Sequence, residues 1–140
     1  MRTIRLCIVA ATLAVLACSH RASGPPAPPE ATAPPPPGIA RVWHGRVPPE
    51  KADAYAAYLA SAITKFRTLP GNLGYEMLRE DGAGETHFMV VSYWTTADAI
   101  HAYAGDDISR TRALPRDPEF LIDPEPLVHN YRVVVQDLAH

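Results

Sequence analysis

Eight prolines lie close together between Pro25 and Pro37, and they limit where this 140-residue chain can fold. Proline fixes φ and has no backbone N–H, so such a stretch favours an extended polyproline II conformation over a helix or a sheet. We interpret residues 19–37 as a Pro-rich linker, which leaves residues 38–140 for the folded part. That length suits one compact domain and excludes large multidomain enzymes and two-lobed nucleotide-binding folds.

The segment before the linker has the pattern of an export signal. Arg2 and Arg5 form a positive amino-terminal region, and Leu6–Ala17 is an apolar stretch too short to span a bilayer as a mature helix. The stretch ends in Val-Leu-Ala followed by Cys18, which resembles the lipobox of bacterial lipoproteins. We therefore predict a lipoprotein signal peptide over residues 1–18, lipidation of Cys18, and a location in the cell envelope facing the periplasm or the exterior. Ser19 after the cysteine favours the outer membrane if the cell is Gram-negative. The alternative is an ordinary secretory signal with an incidental cysteine.

Charge and cysteine content exclude several kinds of site from residues 38–140. Both cysteines, Cys7 and Cys18, precede this part of the chain, which excludes disulfides, thiol catalysis and cysteine-bound metals there. It contains ten Lys/Arg and fourteen Asp/Glu with no basic stripe, whereas nucleic-acid binding needs clustered positive charge. We therefore expect no nucleic-acid partner, and contact with a membrane only through the lipid anchor. Its histidines lack the spacing of metal ligands, and we predict no metal site.

Hydrophobic periodicity predicts six main elements in the folded part. Period-two patterns bounded by Pro, Gly and Asp predict strands, and apolar residues at helical spacing predict helices. The predicted strands are Ile39–Val47, Gly74–Glu80, Thr86–Trp94 and Leu127–Asp137, and the predicted helices are Pro49–Arg67 and Ala97–Ala104. A helical turn or two is expected around Ile108–Ala113, followed by an acidic, Pro-punctuated loop to residue 126. The order βαββαβ predicts an α+β, ferredoxin-like fold, an antiparallel sheet with helices on one face.

Both faces of this predicted sheet carry bulky apolar or aromatic residues. On the first strand, Trp43 alternates with Val42 and His44, and on the third strand both sets of alternate positions are apolar or aromatic. The helices cover only one face, so the other face needs a partner. We expect that partner to be a second copy of the chain, sheet against sheet, in a two-fold homodimer.

Several segments, in their order and spacing, resemble the antibiotic biosynthesis monooxygenase superfamily of dimeric α+β barrel proteins. They are Arg41-Val42-Trp43-His44-Gly45-Arg46, Leu69-Pro70-Gly71-Asn72-Leu73-Gly74, Ser92-Tyr93-Trp94 before Asp98-Ala99-Ile100, Ala104-Gly105-Asp106-Asp107-Ile108, and Tyr131-Arg132-Val133-Val134. The likeness runs from about Ile39 to Val135. The superfamily includes cofactor-independent monooxygenases of polyphenols, quinols and anthrones, haem-degrading proteins, and members of unknown role. The resemblance therefore implies the fold more specifically than the reaction.

Cofactor-independent oxygenation needs a base, a hydrogen-bond donor for the resulting anion, and a dry aromatic pocket. We predict His44 as the catalytic base, because the pKa of His lies near working pH; the alternative is a half-exposed strand residue with no role. Arg41 or Arg46 could hold an anionic oxygen, although a surface charge is the simpler interpretation of each. Trp43 and Trp94 are predicted to wall the pocket, with core or dimer packing as the alternative.

Two further substrate-binding residues are predicted from the second half of the domain. Tyr103 lies near the position at which relatives place a pocket aromatic, so the resemblance implies a place in the site. Asn130 or Tyr131 on the last strand could reach the cavity between sheet and helices, and the register that would decide between them is open. His101 is interpreted as a boundary residue of the second helix.

No cofactor is predicted, and haem is the main competitor. Haem-degrading relatives carry a histidine about nineteen residues past the tryptophan that ends the third strand, whereas here that neighbourhood is Arg112-Ala113-Leu114. This departure argues against haem degradation of that kind, although His101 or His44 could in principle ligate haem. The predicted function is a monooxygenase that oxidises an electron-rich aromatic or quinol-type small molecule. The alternative is a non-catalytic lipoprotein module of the periplasm that binds a small aromatic ligand or haem.

Overall fold

The computed structural model describes residues 37–137 of the chain. The predicted signal peptide, the lipidation site Cys18 and all but the last residue of the predicted linker lie outside these residues. Across the part that is described, no helix combines the length and the apolar character needed to cross a membrane.

The described residues form four strands and three α-helices, of which the strands and the first two helices follow the predicted order. The strands are β1 (Ile39–Val47), β2 (Asn72–Asp81), β3 (Thr86–Trp94) and β4 (His129–Arg132), and the helices are α1 (Ala52–Ile63), α2 (Ala97–Ala104) and α3 (Asp117–Phe120). Short 3-10 turns flank α1 at Pro49–Lys51 and Thr64–Thr68, so the helical region spans the predicted 49–67 with tightened ends. Thr96 caps α2, its side chain accepting a hydrogen bond from the Ala99 N–H at 3.2 Å.

The four strands form one antiparallel sheet in the order β2-β3-β1-β4. This is the arrangement expected of a ferredoxin-like α+β domain, and the predicted fold class is confirmed. β1 and β3 are central, so each is paired on both of its edges. Their register places Trp43 opposite Val90 and Arg41 opposite Ser92. These four residues therefore lie on the same side of the sheet.

The helices pack on that side, which we call the helix-facing side. Its core joins Phe88, Val90 and Trp94 of β3 to Tyr55 and Leu59 of α1. All five are buried, Trp94 and Tyr55 completely. The opposite, open side carries the alternate residues of each strand, among them Val42 and His44 of β1, which are only partly buried.

Two predictions for the second half of the chain are wrong in extent. The last strand covers only His129–Arg132, because it pairs with Val42 back to Ile39, where β1 begins. Beyond Arg132 the chain has no strand partner among the described residues, apart from one bond from the Val133 N–H to the Gly38 carbonyl at 3.0 Å. The helical turn expected around 108–113 is absent, and α3 forms instead at Asp117–Phe120, within the predicted loop.

Candidate active site

A small cavity lies between the helix-facing side of the sheet, α1, α2 and the segment that leads through α3. Its free volume is about 40 Å³, which suits two or three water molecules. The lining is largely apolar and aromatic with a few polar groups, the usual character of a ligand site. The lining residues are Arg41, Trp43, Tyr55, Leu59, Ile63, Phe66, Val90, Ser92, Tyr103, Arg112, Leu114, Asp117 and Val128.

Arg41 brings a buried positive charge to this cavity. Strand alternation turns its side chain toward the helices, and the residue is only 4% exposed. Its guanidinium donates to the carbonyl oxygens of Ile108 and Arg110, the latter at 2.7 Å, and to the Asn130 side-chain oxygen at 3.4 Å. Burial lowers the pKa of Arg41. The interpretation of Arg41 as a surface charge is therefore wrong, whereas the partly exposed Arg46 does pair with Glu85 at 3.3 Å.

Trp43 reaches the cavity because the next residue on its side of the strand has no side chain. The indole ring lies over Gly45, and a Cβ at Gly45 would overlap the ring and touch Leu121. Because Gly45 has no side chain, the Trp43 ring can pack directly against the backbone of the sheet. Trp43 and Gly45, two residues apart on β1, together determine where this aromatic wall of the cavity lies.

Asp117 and Tyr55 form a buried polar pair in the same cavity. The Tyr55 hydroxyl donates to Asp117 Oδ1 at 3.1 Å, and the Leu114 N–H donates to Oδ2 at 2.7 Å. Asp117 is 5% exposed, and its desolvation raises the pKa of the carboxyl group, while the two hydrogen bonds partly oppose the rise. Burial and the nearby carboxylate also raise the pKa of Tyr55, so this hydroxyl stays protonated. A carboxyl group with a raised pKa in an apolar cavity is a candidate general base.

Tyr103 forms another wall, surrounded by cations. Its ring packs edge to face on Phe66 at 4.7 Å between centroids. Lys65 Nζ lies 5.3 Å and Arg112 Cζ 5.4 Å from the centre of the Tyr103 ring. Burial raises the pKa of the Tyr103 hydroxyl, against the opposing charges of Arg41 and Arg112. The hydroxyl therefore remains a hydrogen-bond donor at neutral pH.

The structure brings together some of the residues that the sequence singled out. Trp43 and Tyr103 line the cavity. Asn130 faces the same side of the sheet and binds the Arg41 guanidinium and the Ile108 carbonyl, the latter at 2.9 Å, so it contacts a lining residue. Trp94 is fully buried behind the cavity, where its Nε1 donates to Ser92 Oγ at 2.9 Å.

His44 lies on the open side of the sheet, away from the cavity. It sits in a shallow groove with Leu78, His87 and Met89. The register also places Tyr131 opposite Ala40, on the open side, which decides the alternative between Asn130 and Tyr131. His44 and the cavity residues are therefore separated by the thickness of the sheet.

Sequence reasoning missed Asp117, which lies in the stretch predicted to be an acidic, Pro-punctuated loop. The carboxylate is buried by residues far away in sequence, chiefly Tyr55 on α1. The one local signal is Leu114-Pro-Arg-Asp117-Pro118, in which an Asp precedes a Pro and can bond a backbone N–H three residues earlier. That signal indicates a turn and says nothing of burial.

The lining residues do not fit haem. No histidine is among them, and the tyrosines that could supply an oxygen ligand, Tyr55 and Tyr103, have raised pKa values that disfavour the phenolate. Arg112 and Leu114 occupy the part of the wall where the sequence departs from the haem-degrading pattern. Within residues 37–137, no cluster of three or more His, Cys, Asp or Glu is placed to hold a metal ion.

Comparison with known proteins gives a family and a fold. A family model described as antibiotic biosynthesis monooxygenase matches residues 39–111. Among the curated proteins, none matches the sequence. A solved protein of unknown function from Nitrosomonas europaea is 19% identical with a TM-score of 0.55, over 74% of this chain and 96% of that one.

Two other solved structures have names that bear on function. A heme-degrading protein from Mycobacterium tuberculosis is 19% identical with a TM-score of 0.52, over 75% of this chain and all of that one. A Bacillus cereus protein named for antibiotic biosynthesis monooxygenases is 12% identical with a TM-score of 0.51, over 74% of this chain and 100% of that one. At these identities the likeness is one of fold.

Proposed function

Because the chain belongs to the antibiotic biosynthesis monooxygenase family, we propose that it is a cofactor-independent monooxygenase of an electron-rich phenol or quinol-type small molecule. The substrate ring would lie in the cavity lined by Trp43, Tyr103 and Asp117. The observation that most supports the proposal is the buried Asp117 carboxyl group, with its raised pKa and its hydrogen bond from Tyr55. It offers a base inside an aromatic cavity.

Asp117 removes the phenol proton of the substrate in the first step. The phenolate passes one electron to O2, and the resulting superoxide and substrate radicals join through a C–O bond at a ring carbon that bears hydrogen. The peroxide takes the proton back from Asp117. The Asp117 carboxylate then removes the hydrogen of that ring carbon as the O–O bond breaks, and the departing hydroxide takes this proton to form water, so that phenol and O2 give quinone and water. A carboxyl group whose pKa is raised above its usual value suits these proton transfers.

Tyr103 and Tyr55 support this step in different ways. The protonated Tyr103 hydroxyl donates to the developing phenolate, and it has no hydrogen-bond partner among the described residues. Tyr55 positions the Asp117 carboxylate through its 3.1 Å hydrogen bond. Trp43 and Phe66 keep the ring in an apolar environment, where these electrostatic effects are strongest.

Oxygen uptake by the purified full-length protein against a panel of quinols, catechols and anthrones tests the proposal. We expect uptake above the autoxidation blank, a loss of about 10²-fold or more in Asp117→Asn, and little change in Asp106→Asn, a matched substitution at an exposed acid. His44→Ala separates the two candidate bases, and we expect it to keep its activity. Full activity in a folded Asp117→Asn protein, or collapse in His44→Ala, would overturn the assignment of the base.

The alternative is a module that binds the same kind of molecule without oxidising it. An aromatic ring needs more than the present 40 Å³, so either function requires the cavity to widen; binding a ring alone requires less widening than binding a ring together with O2, which favours this alternative. Ligand binding without oxygen uptake by any member of the panel would select it.

We also propose that the protein works as a homodimer through the open side of the sheet. Leu78 and Tyr131 on that side are 48% and 54% exposed, and Val42, Met89 and Val91 between them are only partly covered. Partly exposed apolar residues gathered on one side of a sheet are typical of an interface, although Glu76 and His129 lie beside Val91 and Val42 on this side. In such a dimer His44 would lie between the two sheets.

The predicted location stays a proposal that rests on the sequence. Cys18 at the end of the apolar stretch and the Pro-rich residues after it support a lipid-anchored protein of the cell envelope. The anchor would hold the domain at the membrane surface, so its substrate would have to come from the periplasm or the exterior.

A further inference from the structure

Arg41 carries a buried charge that no carboxylate of the described residues neutralises. Its three hydrogen-bond partners are two backbone carbonyls and the amide oxygen of Asn130, all uncharged. None of the salt bridges among residues 37–137 includes Arg41. Burial lowers its pKa, opposed by Tyr103 and then by Asp107; the Asp107 carboxylate makes no hydrogen bond to Arg41 and is bound to Ser109. An unneutralised charge at 4% exposure is costly, and an anion in the cavity would relieve that cost.

The Arg41 guanidinium still has a donor for such an anion. Its Nε has no hydrogen-bond partner within the described part of the chain, and no fully buried polar side-chain atom there is left unpaired. The Nε therefore retains solvent contact, and Arg41 lines the cavity. A free N–H on a fixed guanidinium is a strong donor to a carboxylate.

Two more cations lie close to Arg41, one in the lining of the cavity and one beside it. Arg112 lines it, and Lys65 lies over the other wall residue Tyr103. Residues 38–140 have an excess of acidic groups and only ten Lys/Arg, yet three of these ten surround one tyrosine. Even with the Asp117 carboxyl group in the lining, cations outnumber acidic groups around Tyr103, whereas acidic groups outnumber cations in the domain as a whole, and this favours the entry of anions.

We propose that the cavity recognises a small anionic aromatic molecule, whose carboxylate pairs with Arg41 and Arg112 while its phenol ring lies between Trp43 and Tyr103. The position of the ring rests on the proposed function; the anion site rests on the three cations alone. Because a ring needs more than the present 40 Å³, the exposed Arg112 and the partly buried Leu114 must move outward on binding.

The test compares 2,5-dihydroxybenzoate with its methyl ester, which keeps the ring and both hydroxyls but carries no charge. Calorimetric titration of the full-length protein should give an affinity for the acid about tenfold or more above that for the ester. Arg41→Gln should remove most of this preference. Arg112→Gln, at an exposed site where folding is not at risk, should reduce it by roughly two- to threefold, and Arg132→Gln, an exposed arginine on β4, should leave it unchanged.

Equal affinity for acid and ester would overturn the anion site, as would no binding of either probe at millimolar concentration. Preference for the acid that survives in both Arg41→Gln and Arg112→Gln would overturn it as well. Oxygen uptake separates this inference from the proposed function. Tight binding of the acid with no uptake of oxygen supports the anion site and contradicts the monooxygenase, whereas equal oxidation of acid and ester does the reverse.

Discussion

Replacing Tyr55 by Phe isolates the buried pair between Tyr55 and Asp117. The ring is fully buried and keeps its packing, so the change removes only the hydroxyl that donates to Asp117 Oδ1 at 3.1 Å. A hydrogen bond to a charged group contributes about 1.5–3 kcal/mol, and one to a neutral group about 0.5–1.5 kcal/mol. The cost in the free energy of unfolding should therefore depend on whether Asp117 is ionised.

The direction of this pH dependence follows from the linkage between protonation of Asp117 and folding. The pKa of Asp117 is raised in the folded state, so its contribution to stability is present below the unfolded pKa of about 3.9 and is lost as pH rises through the folded value. The Tyr55 hydrogen bond opposes that rise. Removing it raises the folded pKa further and enlarges the loss at higher pH. We expect the cost of Tyr55→Phe to grow by about 1 kcal/mol between pH 4 and pH 8.

Urea denaturation of the full-length protein across this pH range measures the effect. Tyr58→Phe is the matched control. The Tyr58 hydroxyl accepts a hydrogen bond from the main-chain N–H of Arg116 at 3.1 Å, and this donor does not titrate. The cost of Tyr58→Phe should stay constant with pH. If the cost of Tyr55→Phe does not change with pH, or changes only as much as that of Tyr58→Phe, the proposed effect of the Tyr55 hydrogen bond on the pKa of Asp117 is refuted.

Three further predictions concern the packing, the assembly and the location of the protein. Gly45→Ala should destabilise the domain by about 1–3 kcal/mol because its Cβ overlaps the Trp43 ring, whereas Gly84→Ala, where a Cβ meets open space, should not; thermal unfolding compares the two. Light scattering should give twice the monomer mass, and Val91→Lys on the open side should reduce it to one copy; a monomeric parent protein would contradict the dimer. Cys18→Ser should release the protein from the membrane fraction. If the Cys18→Ser protein stays in the membrane fraction, lipidation of Cys18 is refuted.

The strands could be predicted because alternation on a sheet is a local property of the sequence. β3 agrees with its predicted limits, Thr86–Trp94, and its residues alternate between buried and less buried positions. The end of β4 could not be predicted, because it depends on where its partner β1 begins, at Ile39. Strand length at a sheet edge is set by pairing as well as by the valine-rich composition of residues 133–135.

The candidate site was only partly predictable from the sequence. The same alternation that places Trp43 toward the helices places His44 on the other side, so these two neighbours could never have lined one cavity together. The burial of Arg41 and Asp117 depends on the irregular segment between α2 and β4, whose path follows from contacts with distant residues. No local pattern records such contacts, so the burial of neither side chain could be predicted.

Arg41 holds the segment after α2 by hydrogen bonds to main-chain carbonyls and not to side chains of that segment. At Arg110 the side chain is 71% exposed while the carbonyl is bound at 2.7 Å. Substitutions at position 110 that keep the backbone path should therefore be tolerated, whereas a single insertion or deletion between Ile108 and Arg110 would move both carbonyls out of register. At position 110, the length of the chain should therefore be constrained more tightly than the identity of the residue.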